Sequence, residues 1–264
     1  MSMINISNKF NTLKGKCAFI PFITAGYPSL KITKAALSIL DKEQADIIEI
    51  GLPYTDSLAD GPIIQKAAEI ALNQGTSLKD IFIMLEEIIP NISTPIIIFS
   101  YYNIILNYKP IKFIKKIKNI GVQGLLIPDL PIEESLEIIN LCKQENIALI
   151  LLISPTSSND RIKKIVQHGE GFLYIVSSTG VTGIRENFNT NIKNLIKKVK
   201  DITDIPVVVG FGISNTKQLL EIKSSGTEGV VVGSALMKLL NNVNNEKDLR
   251  EFQEFCREMK SATL

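Results

Sequence analysis

The chain has one histidine, no tryptophan, four arginines and three cysteines in 264 residues. A single His168 excludes every site built on two imidazoles, including H-E-x-x-H zinc centres, and leaves one candidate base for a Ser-His or Cys-His pair. It lies in the polar stretch Gln167, His168, Gly169, Glu170, which reads as a helix end with a cation beside the last carbonyls. Cys17, Cys142 and Cys256 are odd in number, far apart and without C-x-x-C spacing. They therefore suggest neither a disulfide framework nor a thiolate zinc site, and reduced thiols are expected. Charge of one sign is also lacking: 29 Lys and Arg against 27 Asp and Glu give a net charge of +2. That leaves no excess cation for gripping a phosphodiester backbone, so nucleic acid is excluded. No apolar run reaches the roughly 18 residues of a membrane span, and Met1 to Phe10 has neither an apolar core nor an Arg-rich amphipathic pattern. A soluble intracellular protein is expected. Heavy use of Ile, Lys and Asn, with 25 Lys to 4 Arg, fits an AT-rich genome, bacterial or plastid. Any proton chemistry falls to carboxylates or a cofactor.

Short β-branched apolar runs recur at 17–24, 47–51, 95–99, 124–127, 147–153, 172–176, 207–210 and 229–232. They are apolar on both faces, as a parallel strand buried under helices requires. Amphipathic helical segments fall between and after them at 30–40, 77–89, 111–120, 131–144, 160–167, 191–199, 215–224 and 248–259. Eight βα units without a linker or low-complexity tract predict an α/β fold, with residues 1–264 forming a single (β/α)8 TIM-barrel domain; such barrels commonly run to about 250 residues. An open eight-stranded parallel sheet is the alternative. No G-x-G-x-x-G or Walker motif supports a Rossmann-type reading.

A barrel carries its site at the carboxyl ends of its strands. Glu49 sits in Ile47-Ile48-Glu49-Ile50, with no cation next to it in sequence. Two readings are open: a carboxyl whose pKa is raised by desolvation into the range useful for proton transfer, or a structural carboxylate paired with a distant Lys or Arg. Asp60, on the following loop, reads on its own as an N-cap, because Gly61-Pro62 suits the first turn of a helix. Taken as a pair, the two carboxylates can flank one bound molecule. Glycines after strand seven (Gly210, Gly212), and Gly233-Ser234 between strand eight and a helix, are either plain turn residues or, taken together at two successive strand ends, a phosphate site of backbone N–H groups. Ser177 to Arg185 has the composition of a lid or of an ordinary solvated loop. Phe22, Tyr101, Tyr102, Tyr174 and Phe211 lie near strand ends, where aromatics either pack the core or frame a slot for a flat ring.

The segment Ile48-Glu49-Ile50-Gly51-Leu52-Pro53-Tyr54-Thr55-Asp56-Ser57-Leu58-Ala59-Asp60-Gly61-Pro62, with Ser178-Thr179-Gly180-Val181-Thr182-Gly183 and Gly210-Phe211-Gly212-Ile213, resembles the α subunit of tryptophan synthase. The similarity spans essentially the whole chain, including Pro21-Phe22-Ile23-Thr24-Ala25-Gly26-Tyr27-Pro28 and Pro128-Asp129-Leu130-Pro131. The resemblance implies a lyase that splits indole-3-glycerol phosphate into indole and glyceraldehyde 3-phosphate, with no cofactor on this chain. It implies that Glu49 is the acid/base at indole C3 and the glycerol hydroxyl, and that Asp60 handles the N1 proton. It further implies phosphate on Gly183, Gly212, Gly233 and Ser234, with Phe22, Tyr101, Tyr174 and Phe211 around the indole and glycerol parts. Thr182 would reach Asp60 when the lid closes.

The implied partner is a pyridoxal-phosphate β subunit in an α2β2 tetramer that receives indole through a tunnel, with residues 53–60 and 128–131 contributing to the contact. Ser57 departs from the Pro common in the family and loosens the expected loop. Residue chemistry disfavours other phosphate-binding barrels. A pentose-phosphate epimerase would want histidine metal ligands, and an indole-glycerol-phosphate synthase a catalytic Lys at a strand end. A non-catalytic partner that only activates a β subunit would have no need of Glu49 and Asp60.

Overall fold

The computed structural model describes residues 6–13, 15–176, 185–210, 212–241, 243 and 245–264, the side chains of 185–190 excepted. Eight parallel strands pair in chain order: β1 (Ala18–Thr24), β2 (Ile48–Gly51), β3 (Ile96–Phe99), β4 (Gly124–Leu126), β5 (Ala148–Ile153), β6 (Leu173–Val176), β7 (Val207–Gly210) and β8 (Gly229–Val232). The register Ala18↔Gly229 through Pro21↔Val232 joins the last strand to the first. That pairing decides between the closed barrel and the open sheet. Every residue of β1, β2, β3, β4 and β8 is buried, as expected of strands covered on both faces.

The helices are α1 (Ile6–Leu13), α2 (Leu30–Lys42), α3 (Pro62–Asn73), α4 (Leu78–Ile88), α5 (Tyr102–Tyr108), α6 (Pro110–Ile120), α7 (Leu136–Glu145), α8 (Asn159–His168), α9 (Arg185–Lys200), α10 (Thr216–Lys223), α11 (Ser234–Leu240) and α12 (Arg250–Thr263). The starts of α2, α4, α8 and α10 follow from side-chain caps at Ser29, Ser77, Ser158 and Asn215, with Asp80 closing a capping box on Ser77. The segment expected to be helical over 131–144 divides: one 3-10 turn at Ile132–Glu134 precedes α7, which begins only at Leu136. At the other end of the chain α12 runs past 259, because Phe252, Cys256, Met259 and Thr263 recur at helical spacing and are all buried.

The amino-terminal end of the barrel is held by a buried carboxylate. Asp46, 2% exposed, accepts from the Phe19 N–H at 2.9 Å and from Lys260 Nζ at 2.5 Å, and lies 3.3 Å from Lys9 Nζ. One side chain thereby ties α1, β1 and α12 to the start of β2. Phe10 of α1 packs on Phe172 with ring centroids 5.6 Å apart. The three cysteines are unpaired and buried, and desolvation pushes the Cys17 and Cys142 thiols up to about 12. His168 is the last residue of α8, in keeping with the helix-end reading. Among the described residues no helix is long and apolar enough to cross a membrane.

Candidate active site

A cavity of about 910 Å3 opens at the carboxyl ends of the strands. Glu49 lies in its floor, in register with Phe22 of β1 and Ile97 of β3. It is 1% exposed, and neither carboxyl oxygen has a hydrogen-bond partner among the described residues. Among the described residues Glu49 is therefore not one half of an ion pair. Desolvation, reinforced by the charge of Asp60, raises its carboxyl to about 8. At neutral pH Glu49 is a protonated acid facing a cavity.

Asp60 lines the same cavity and does not cap a helix. The N-cap of α3 is Gly61, with no side-chain cap bond, and Pro62 occupies the first turn. The loop from Pro53 to Asp60 instead folds back on Ser57, which is buried. The Ser57 carbonyl accepts the Asp60 N–H at 3.0 Å and Gln65 Nε2 at 3.1 Å. This turns the Asp60 carboxylate toward Tyr101, whose hydroxyl donates to Oδ2 at 3.0 Å and accepts the Ala59 N–H at 3.0 Å. Desolvation pushes Asp60 up to about 6, with the Tyr101 bond opposing it. Two carboxyl groups share one cavity, one protonated and one mostly ionised at pH 7.

Phe22 and Tyr174 form walls, and glycines make room for them. A Cβ at Gly51 would lie 2.5 Å from Phe22 Cζ, and one at Gly210 would lie 2.0 Å from Tyr174 Oη. Burial and the nearby Glu49 and Asp60 hold the Tyr174 phenol well above its ordinary range, so it stays neutral. Gly212, Gly233 and Ser234 line the cavity where β7 and β8 end. Ser234 opens α11, whose first N–H groups have no partner within the helix.

Of the remaining residues singled out in the sequence, Tyr101 stands behind Asp60 and does not line the cavity, being 2% exposed. Thr182, Gly183 and Phe211 lie outside the described residues. Sequence reasoning missed Phe99, Ile127, Leu152 and Arg161, which also line the cavity. The first three sit at or beside the ends of β3, β4 and β5, and that position is the signal that finds them. No group of three or more His, Cys, Asp or Glu able to hold a metal occurs among the described residues.

The family model of the tryptophan synthase alpha chain matches residues 10–264. The chain belongs to the tryptophan synthase alpha chain family. A tryptophan synthase alpha chain from Pyropia yezoensis is 48% identical over 262 residues, covering 99% of this chain and 100% of the relative. The tryptophan synthase alpha subunit of Legionella pneumophila superposes with a TM-score of 0.89 at 30% identity, over 99% of both chains. A chain of the tryptophan synthase complex of Pyrococcus furiosus does so with a TM-score of 0.84 at 31% identity, covering 93% of this chain and 98% of that one. As a tryptophan synthase alpha chain the protein is an indole-glycerol-phosphate lyase, and its fold is the family's barrel.

Proposed function

We propose that Glu49 and Asp60 carry the retro-aldol cleavage of indole-3-glycerol phosphate to indole and glyceraldehyde 3-phosphate. The bond between indole C3 and the glycerol chain breaks only after C3 becomes tetrahedral, so a proton must arrive there while positive charge develops at N1. Glu49, buried and protonated at neutral pH, supplies that proton; as the resulting carboxylate it takes the proton of the glycerol hydroxyl as the carbonyl forms. Asp60, mostly ionised, accepts a hydrogen bond from the N1–H and stabilises the positive charge there, the proton staying on nitrogen. Atoms balance: the proton given to C3 is replaced by the one taken from the hydroxyl.

Gly212, Gly233 and Ser234, joined by Gly183, hold the phosphate on backbone N–H groups and the serine hydroxyl. Phe22 and Tyr174 enclose the indole and glycerol parts. The observation that carries this reading is Glu49 itself, a carboxyl that burial keeps protonated, unpartnered among the described residues and beside a second carboxylate in the cavity. The test is indole release from indole-3-glycerol phosphate by the wild-type chain and by Glu49→Gln. Release by the wild type alone is expected, and equal turnover by both would remove Glu49 from the mechanism.

The chain itself uses no cofactor in this scheme. Its partner is a tryptophan synthase β subunit carrying pyridoxal phosphate, in an α2β2 assembly through which indole passes directly. Support comes from Leu58, Leu106 and Leu136, which are 82%, 48% and 60% exposed on the segments that follow β2, β3 and β4. Large apolar side chains exposed on successive segments after the strands suit a protein contact. Of the segments 53–60 and 128–131 proposed for this contact, Ala59, Asp60 and all of 128–131 line the cavity. Co-purification with a β subunit, lost on Leu58→Asp with Leu106→Asp, tests it. Three buried, unpaired thiols suit a reducing compartment, the plastid stroma or a bacterial cytoplasm.

A further inference from the structure

Four aromatic rings run in contact from the cavity to the outer rim. Phe22 meets Phe99 edge-on with centroids 5.6 Å apart, and Phe99 meets Tyr101 edge-on at 5.9 Å. Tyr101 stacks against Tyr54 at 5.2 Å, with 28° between the ring planes. Tyr54 is the outermost of the four, half-buried on the loop between β2 and α3, and its hydroxyl accepts from Asn103 Nδ2 of α5 at 3.0 Å. Tyr101 is therefore held between Phe99 on one side and Tyr54 on the other. The hydroxyl of that held ring makes the bond to Asp60 and receives the Ala59 N–H. A swing of the Tyr101 ring would break both bonds together. Tyr54 does not line the cavity, and its ring contact toward the site is the stack on Tyr101.

We infer that Tyr54 is a positioning residue for the lyase reaction: its ring, steadied by Asn103, fixes Tyr101 so that the Tyr101 hydroxyl stays on Asp60. The inference rests on the role given to Asp60 above. Stacked aromatic pairs contribute beyond the area they bury, and a half-exposed ring pinned at its hydroxyl loses little further freedom in making the stack. The titratable groups that bear on Asp60 are Tyr101 from the segment after β3, Glu49 from β2 and Tyr174 from β6, while Asp129 acts on Tyr101. The Tyr101 bond favours the ionised form of Asp60 and opposes desolvation. Loosening Tyr101 therefore moves Asp60 ionisation to higher pH.

The test compares wild type, Tyr54→Ala and Tyr54→Phe by indole release between pH 5 and 9, and by 13C NMR titration of the Asp60 carboxyl in the absence of substrate. Tyr54→Ala is expected to lower kcat about tenfold, with KM unchanged within about twofold. It should move both the acid limb of the rate profile and the Asp60 titration upward by about one pH unit. Tyr54→Phe keeps the stacked ring and loses only the Asn103 bond, and is expected to recover most of the rate, limb and titration. Unchanged kcat and Asp60 titration in Tyr54→Ala would overturn the proposal. So would a loss confined to KM, or a Tyr54→Phe variant as impaired as Tyr54→Ala. The NMR reading needs no turnover. A wild-type chain that releases no indole would count against the reading of the site, while the Tyr54 proposal would still stand or fall on the titration.

Discussion

The Tyr174 ring occupies the space that a side chain at position 210 would need. A Cβ on Gly210 would stand 2.0 Å from Tyr174 Oη and 2.3 Å from Cε1 and Cζ. The pair links two neighbouring strands, since Tyr174 of β6 is in register with Val208 and Val176 with Gly210. Gly210→Ala must therefore drive the ring off the strand end and into the cavity. Overpacking of this kind costs about 1–3 kcal/mol. The expected outcome is a lower Tm by calorimetry and a KM for indole-3-glycerol phosphate raised about tenfold or more. Unchanged kinetics would mean that the ring has an alternative resting place.

Glu49→Gln keeps the size of the side chain and removes the titrating proton. The rate of indole formation should fall by about 10²- to 10⁴-fold, while binding of glycerol phosphate, measured by calorimetry, is retained.

The same substitution has a stability signature whose sign follows from the raised pKa. Folding lifts the Glu49 carboxyl from 4.5 to about 8. Its contribution is fully present below pH 4.5 and is lost as the pH rises towards 8, where the folded protein would hold a proton that the unfolded chain has already released. Wild type should lose stability across this window relative to Glu49→Gln. The variant is expected to melt about 5 °C higher at pH 8.5, with the gap closing near pH 4.5. Parallel melting curves for the two proteins across that range would contradict the buried, protonated state of Glu49.

The two carboxyls together predict a bell-shaped profile of kcat/KM. Activity requires Asp60 ionised, giving a rising limb near 6, and Glu49 protonated, giving a falling limb near 8. Because the charge of Asp60 is one cause of the raised Glu49 value, Asp60→Asn should lower the pH of the falling limb as well as the rate. Stopped-time indole assays across pH 5 to 9 read both limbs.

Asp46, which does not line the cavity, provides a control outside the site. Its two lysines and the Phe19 N–H leave it fully paired in a buried place. Asp46→Ala strands those cations, a loss of roughly 3–5 kcal/mol for a buried pair. A large fall in Tm with KM unchanged is expected.

Much of this architecture is legible in the residue string, for a physical reason. The runs around Ile47 to Gly51 and Val207 to Gly210 are apolar on both faces, a pattern imposed by burial between helices, so all eight strands can be read to within a few residues. Helices α1 and α5 escape such reading because both stand outside the alternation of one helix per strand, α1 before β1 and α5 ahead of α6. Glu49 is legible because a charge inside an apolar strand demands explanation. Asp60 misleads, since Gly61-Pro62 signals a helix start whose cap turns out to be the glycine. The place of Tyr101 behind Asp60 is set by a loop folding back onto the end of β3, a long-range contact without local signature.

The clasp at Asp46 and the carboxyls at the mouth lie at opposite ends of the same strands. Durability and chemistry are thus lodged in different halves of the molecule, joined by a rigid wall of β-sheet. A lineage, or an engineer, can reinforce the closed end around Asp46 and redraw the open end around Glu49 as separate undertakings, each with little toll on the other.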